Sequence, residues 1–118
     1  MITITLPLPP TINHYYIRSS RTIFLNKKAN EFRKEVFILS RNFSNYFSIN
    51  DRLLIDVIFY PPNKRKFDID NRLKSLLDAL QYARIFPDDE QIDKIIVTRG
   101  DIMKNGASLI TIKKLLAR

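Results

Sequence analysis

Residues 53–82, LLIDVIFYPPNKRKFDIDNRLKSLLDALQY, carry the pattern on which the fold turns. Leu53 to Tyr60 is rich in β-branched and aromatic residues and reads as a buried strand, ended by Pro61-Pro62. A short basic loop follows, Asn63-Lys64-Arg65-Lys66. Leu73, Leu76, Leu77 and Leu80 then recur at i, i+3, i+4 and i+7, which draws one apolar stripe on a helix. Asp68 and Asp70 stand just before that stripe, well placed for the helix N-terminus, where a carboxylate favours the dipole and the exposed N–H groups.

Working outward, Ile2 to Leu6 alternates as a strand stopped by Pro7, Pro9 and Pro10. Residues 11 to 26 read as irregular. Asn26 to about Phe43 turns helical, with Ala29, Phe32, Val36, Leu39 and Phe43 on the apolar side. Beyond the second helix, Ile85 to Asp89 is a turn. Ile95 to Arg99 and Ser108 to Lys113 read as strands joined around Asn105-Gly106, a hairpin signal. The expected fold is α/β, a single domain over 1–118. A mixed β-sheet carries two helices in the order β-α-β-α-β-β.

The chain has 20 Lys and Arg against 12 Asp and Glu, a formal net charge of +8 on 118 residues. That excess on a small domain favours nucleic acid over an anionic membrane, since no basic amphipathic face stands out. With no Cys, thiolate metal sites and disulfides are excluded, and His14 alone builds no usual zinc site. No apolar stretch reaches spanning length and the N-terminus lacks a signal-peptide pattern, so a cytoplasmic location and no membrane partner are expected.

Against that basic background the carboxylates near Phe67-Asp68-Ile69-Asp70-Asn71 and Asp88-Asp89 need a reason. In extended backbone Asp68 and Asp70 point to one side. On a helix Asp70, Lys74 and Asp78 follow one another at i+4. Clustered carboxylates repel one another unless a cation joins them, and magnesium suits one or two carboxylates completed by water and phosphate oxygens. Lys74 would hold a phosphate, and Lys64, Arg65 and Lys66 the flanking backbone. Plainer readings stand beside this one: Asp68 or Asp70 as a cap, Asp70–Lys74 as a surface ion pair, Asp88-Asp89 as turn chemistry, and Tyr15 and Tyr16 as packing residues.

Three segments, in this order, resemble the RusA family of Holliday-junction resolvases of bacteria and their phages or prophages. They are Pro9-Pro10-Thr11-Ile12-Asn13-His14-Tyr15-Tyr16, Lys66-Phe67-Asp68-Ile69-Asp70-Asn71 with Lys74 and Asp78, and Phe86-Pro87-Asp88-Asp89-Glu90-Gln91. The resemblance implies that Asp68, Asp70 and Asp89 are catalytic metal-binding carboxylates and Lys74 the essential lysine. DNA contacts are expected from Asn13, Tyr15, Tyr16, Lys64, Arg65, Lys66 and Asn71. It implies a homodimer that nicks two opposed strands of a four-way junction with Mg2+, or Mn2+ in its place, in DNA recombination and repair. Two alternatives stay open: a nuclease for flaps or other branched DNA, and a non-catalytic DNA-binding module.

Overall fold

The computed structural model describes residues 1–11, 16–19, 22–25 and 27–115. The elements run β1 (Ile2–Leu6), β2 (Tyr16–Ser19), β3 (Thr22–Leu25), α1 (Lys27–Leu39), β4 (Leu53–Tyr60), α2 (Leu73–Tyr82), β5 (Ile92–Arg99) and β6 (Ala107–Lys114). Single 3-10 turns occupy Arg41–Phe43 and Asp89–Gln91. The main sheet has the order β1-β6-β4-β5, with β4 and β5 parallel and the other neighbours antiparallel. The two helices and mixed sheet are those expected. The segment expected to be irregular instead contains β2 and β3, a separate antiparallel ribbon with Tyr16 opposite Leu25.

β1 buries Ile2, Ile4 and Leu6 and exposes Thr3 and Thr5, the period-2 alternation of a strand covered on one face. β4 and β6 add Leu53, Ile55, Val57, Phe59, Ile110 and Ile112 to the same core, each fully buried. From the helices come Phe32 and Val36 of α1 and Leu76, Leu77 and Leu80 of α2, so the leucine stripe faces the sheet as its spacing predicts. Leu39 departs from the expected stripe. α1 stops there, and Leu39 is half exposed, while the buried Ser40 hydroxyl donates to the Val36 carbonyl (2.6 Å) and closes the helix end.

The Asn105-Gly106 signal marks a turn, but not a hairpin. Both residues have φ of +69°, as tight-turn chemistry requires. Yet β5 and β6 are not neighbours, because β4 lies between them. The connection is pinned across the end of β4: Gly100 donates to the Phe59 carbonyl (2.8 Å) and Met103 to that of Pro61 (2.8 Å). A side chain at Gly106 would run into Leu8, so the position serves close packing as well as the turn. Placing β6 centrally lets Ile110 and Ile112 be buried completely, which pairing along the β5 edge would not.

Candidate active site

α2 is the scaffold on which the three sequence segments meet. Its N-terminal end holds the first segment. Arg72 donates to the Pro9 carbonyl (2.6 Å) and the buried Ser75 hydroxyl to that of Pro10 (2.5 Å). A proline lacks an N–H, but its carbonyl accepts, so Pro9-Pro10 can dock without a side-chain polar group. Arg72 also lies over the ring of Phe67 (4.8 Å), and its burial pulls its pKa below the ordinary value. Phe67, which interrupts the basic run, is itself buried against Phe59 (centroids 6.3 Å apart). Arg99 donates to the Phe67 carbonyl (2.7 Å). The acidic loop therefore hangs from a fixed aromatic anchor.

Asp68 and Asp70 are exposed beyond that anchor. Residues 69–72 form a bend and turn, so the extended geometry assumed for this pair does not apply. Nor does either carboxylate cap the helix: Arg72 occupies the N-cap and no side-chain cap bond forms. Asp70 contributes its backbone carbonyl instead, accepting from Leu73 (3.2 Å), and lies outside α2. No ion pair or hydrogen bond reaches the Asp68 or Asp70 carboxylate among the described residues.

The i+4 expectation holds one turn later. Lys74 Nζ stands 3.0 Å from Asp78 and 3.9 Å from Asp89. Asp89 is brought there by its own loop, whose backbone N–H donates to Gln81 Oε1 of α2 (2.8 Å). Its neighbour Asp88 has a different job. The Asp88 side chain accepts from the Glu90 N–H (3.0 Å) while Gln91 Oε1 accepts from the Asp88 N–H (3.1 Å), a reciprocal cap that fixes the turn. Gln91 is buried and also donates to the carbonyls of Ser48 (2.8 Å) and Asp51 (2.9 Å).

Arg52 fastens the same loop from the far side. Its Nε donates to both oxygens of Asp93 (3.1 and 3.0 Å), and Nη2 donates to the Glu90 carbonyl (3.0 Å). These bonds hold the Asp93 carboxyl below its ordinary 3.8 and push the Arg52 guanidinium up. A depressed aspartate pKa contributes stability above the unfolded value and loses it as the pH falls through the folded one. Thermal melts of wild type and Arg52→Gln should therefore differ at pH 7 and converge as acid protonates Asp93. A constant gap down to pH 2 would refute this assignment.

Lys64, Arg65 and Lys66 lie in an exposed loop, where the Arg65 N–H donates to Asn63 Oδ1 (2.9 Å), and Asn71 is half buried. Asn13 and Tyr15, with His14, lie outside the described residues, and Tyr16 is described only as backbone of β2. Sequence reading passed over Arg72, Ser75 and Gln81. A serine and a glutamine inside an otherwise leucine-lined helix were the available signals.

The chemistry of a divalent ion can be tested against this arrangement. Two exposed carboxylates two residues apart, on an anchored loop, are the hard oxygen donors that magnesium takes along with water. Asp89 is ion-paired with Lys74, and among the described residues no group of three acids or histidines is gathered closely enough to hold a metal. Asp70 lies just before α2, and the Asp89 backbone is tied to Gln81 while its carboxylate faces Lys74 of the first turn. Asp68 and Asp70 thus fit a hydrated ion, and Asp89, expected as a third ligand, is ion-paired with Lys74.

A family model described as Endodeoxyribonuclease RusA matches residues 7–113, nearly the whole chain and all three segments. The chain belongs to the RusA family. Among RusA-family relatives, the crossover junction endodeoxyribonuclease of Enterobacteria phage HK97 is 38% identical over 110 residues, covering 93% of this chain and 92% of that one. The crossover junction endodeoxyribonucleases RusA of Shigella sonnei (strain Ss046) and of Escherichia coli (strain K12) are each 27% identical over 113 residues, covering 96% of this chain and 94% of theirs. The RusA-family match thus extends from Pro7, just before the proline pair of the first segment, into β6. No helix among the described residues is long and apolar enough to cross a membrane.

Proposed function

We propose that this RusA-family chain is a magnesium-dependent endonuclease that resolves four-way DNA junctions by paired symmetric nicks, in recombination and repair. The observation that carries the reading is the pairing of two exposed carboxylates, Asp68 and Asp70, without partners among the described residues, with a Lys74–Asp89 ion pair on the same helix scaffold. Asp68 and Asp70 hold the ion, which when bound supplies an activated water and neutralises charge at the scissile phosphate. Lys74 turns from its carboxylates to a non-bridging phosphate oxygen as charge develops there. Asp78 and Asp89 keep that ammonium oriented before substrate arrives.

Resolution requires nicks in two related strands, and an isologous homodimer presents two related sites. Two copies at +8 each carry about +16, suited to following several phosphates with a steep salt dependence. The test uses the purified chain with MgCl2 and three synthetic substrates: a four-way junction, a flap and a plain duplex. Symmetric cuts in the junction that disappear with EDTA are expected. Equal cutting of the duplex overturns junction selectivity, and faster cutting of the flap overturns the choice of branch.

A further inference from the structure

Beside the Lys74–Asp78–Asp89 cluster lies a cleft of about 540 Å3, lined chiefly by Arg33 and Phe37 of α1, Asp78, Gln81 and Tyr82 of α2, and Arg84 just past it. Such a volume falls within the ~300–1,000 Å3 of ordinary ligand clefts. It is continuous with the proposed catalytic residues, because Asp78 pairs with Lys74 and Gln81 carries the Asp89 backbone. Two rings stand half exposed in it, Phe37 at 47% and Tyr82 at 50%, with centroids 6.4 Å apart and planes tilted at 60°. The Arg33 guanidinium lies 5.0 Å from the Tyr82 ring centre. Lys34 borders a smaller cavity lined by the same two rings.

Arg84 is the telling residue. The helix ends in a Schellman motif, with Arg84 donating to the Gln81 carbonyl (2.9 Å) and Ile85 to that of Leu80 (3.3 Å). Arg84 sits at the left-handed position of that motif, φ +63°, where glycine is the unstrained choice. An arginine there costs stability and delivers a guanidinium to the rim of the cleft. Backbone strain tolerated beside a reactive cluster is a reason to look for function.

We propose that this cleft takes one unstacked nucleotide of the DNA substrate, flanking the cleaved phosphate. Tyr82 stacks on its base, Phe37 packs against that base at an angle, and Arg33 and Arg84 hold its phosphates. Aromatic faces accept any base, and arginine holds phosphate without reading sequence, so the cleft selects a branch point over paired duplex. A second copy of the chain seated on these rings is the competing occupant. The cationic rim of Arg33, Lys34 and Arg84 argues against it, since an isologous contact would face like charge with like charge. The proposal rests on the endonuclease reading above, and the experiment separates the two.

Full-length wild type, Arg84→Gly, Tyr82→Ala and Tyr82→Phe are compared in EDTA for affinity to the junction, a short oligothymidine and a duplex, then in MgCl2 for junction cleavage. Arg84→Gly relieves the backbone, so its melting temperature should hold or rise while junction affinity falls about tenfold and the salt slope drops by about one. Tyr82→Ala should weaken junction and oligothymidine binding about tenfold, with the salt slope and duplex binding unchanged, and Tyr82→Phe should restore it. The cleft proposal is overturned if Arg84→Gly and Tyr82→Ala bind the junction like wild type, if duplex binding suffers equally from Tyr82→Ala, or if sedimentation shows that they act by dissociating a dimer. Wild type that binds but never cuts overturns the endonuclease reading alone.

Discussion

Asp70→Asn is expected to reduce single-turnover cleavage of a four-way junction by about a thousandfold or more, equivalent to about 4 kcal/mol of barrier. The change keeps the side chain's shape and removes the charge a divalent ion needs. Asp70 is exposed and forms no cap, so the fold should be indifferent to it. Thermal melts should superimpose on those of wild type. Junction binding should survive or tighten, because one repulsion from phosphate is gone. Asp68→Asn should behave alike. Asp89→Asn should lose activity too, but through Lys74, whose ammonium then loses one of the carboxylates that orient it while keeping the Asp78 contact 3.0 Å away. Asp70→Asn that still cleaves within tenfold of wild type would remove this residue from the catalytic set.

The second large effect falls on stability. Gln91→Leu should lower unfolding free energy by about 3 kcal/mol, near 12 °C in melting temperature for a domain of this size. Gln91 is buried, and its side-chain amide makes three hydrogen bonds, to Ser48, Asp51 and Asp88. Leucine fills the volume but strands two carbonyls and one N–H. Gln91→Glu adds a sign that cavity or packing effects would not. At pH 7 its carboxylate would face two carbonyl oxygens, so burial and repulsion raise its folded pKa above the unfolded value. Stability relative to wild type is then best below the unfolded pKa and lost as pH rises through the folded one. Melts of Gln91→Glu that show no recovery in acid would rule out this account.

Much of the site was legible because its signals are local. The stripe of Leu76, Leu77 and Leu80 places Lys74 and Asp78 one turn apart, and they do pair. Choosing between Asp88 and Asp89 needed more than spacing. Either side chain can terminate a turn, and the difference arises from partners far along the chain. Gln91, buried beneath the 48–51 loop, commits Asp88 to capping, and Gln81 delivers Asp89 to Lys74. The roles of Arg72 and Ser75 were equally invisible, since their acceptors lie 63 and 65 positions away.

The acidic pair at Asp68 and Asp70, the order of the three segments and the strand and helix periods were all set by residue type at short range. A period of 2 or 3.6 needs no knowledge of the partner. Which strands are neighbours was another matter. Asn105-Gly106 specifies a turn wherever it stands, but only competition for burial puts β6 beside β4 and leaves β5 at the edge. The convergence of Pro9-Pro10, Lys74 and Asp89 on α2 likewise arises in three dimensions, where backbone carbonyls and charges find partners that sequence distance hides.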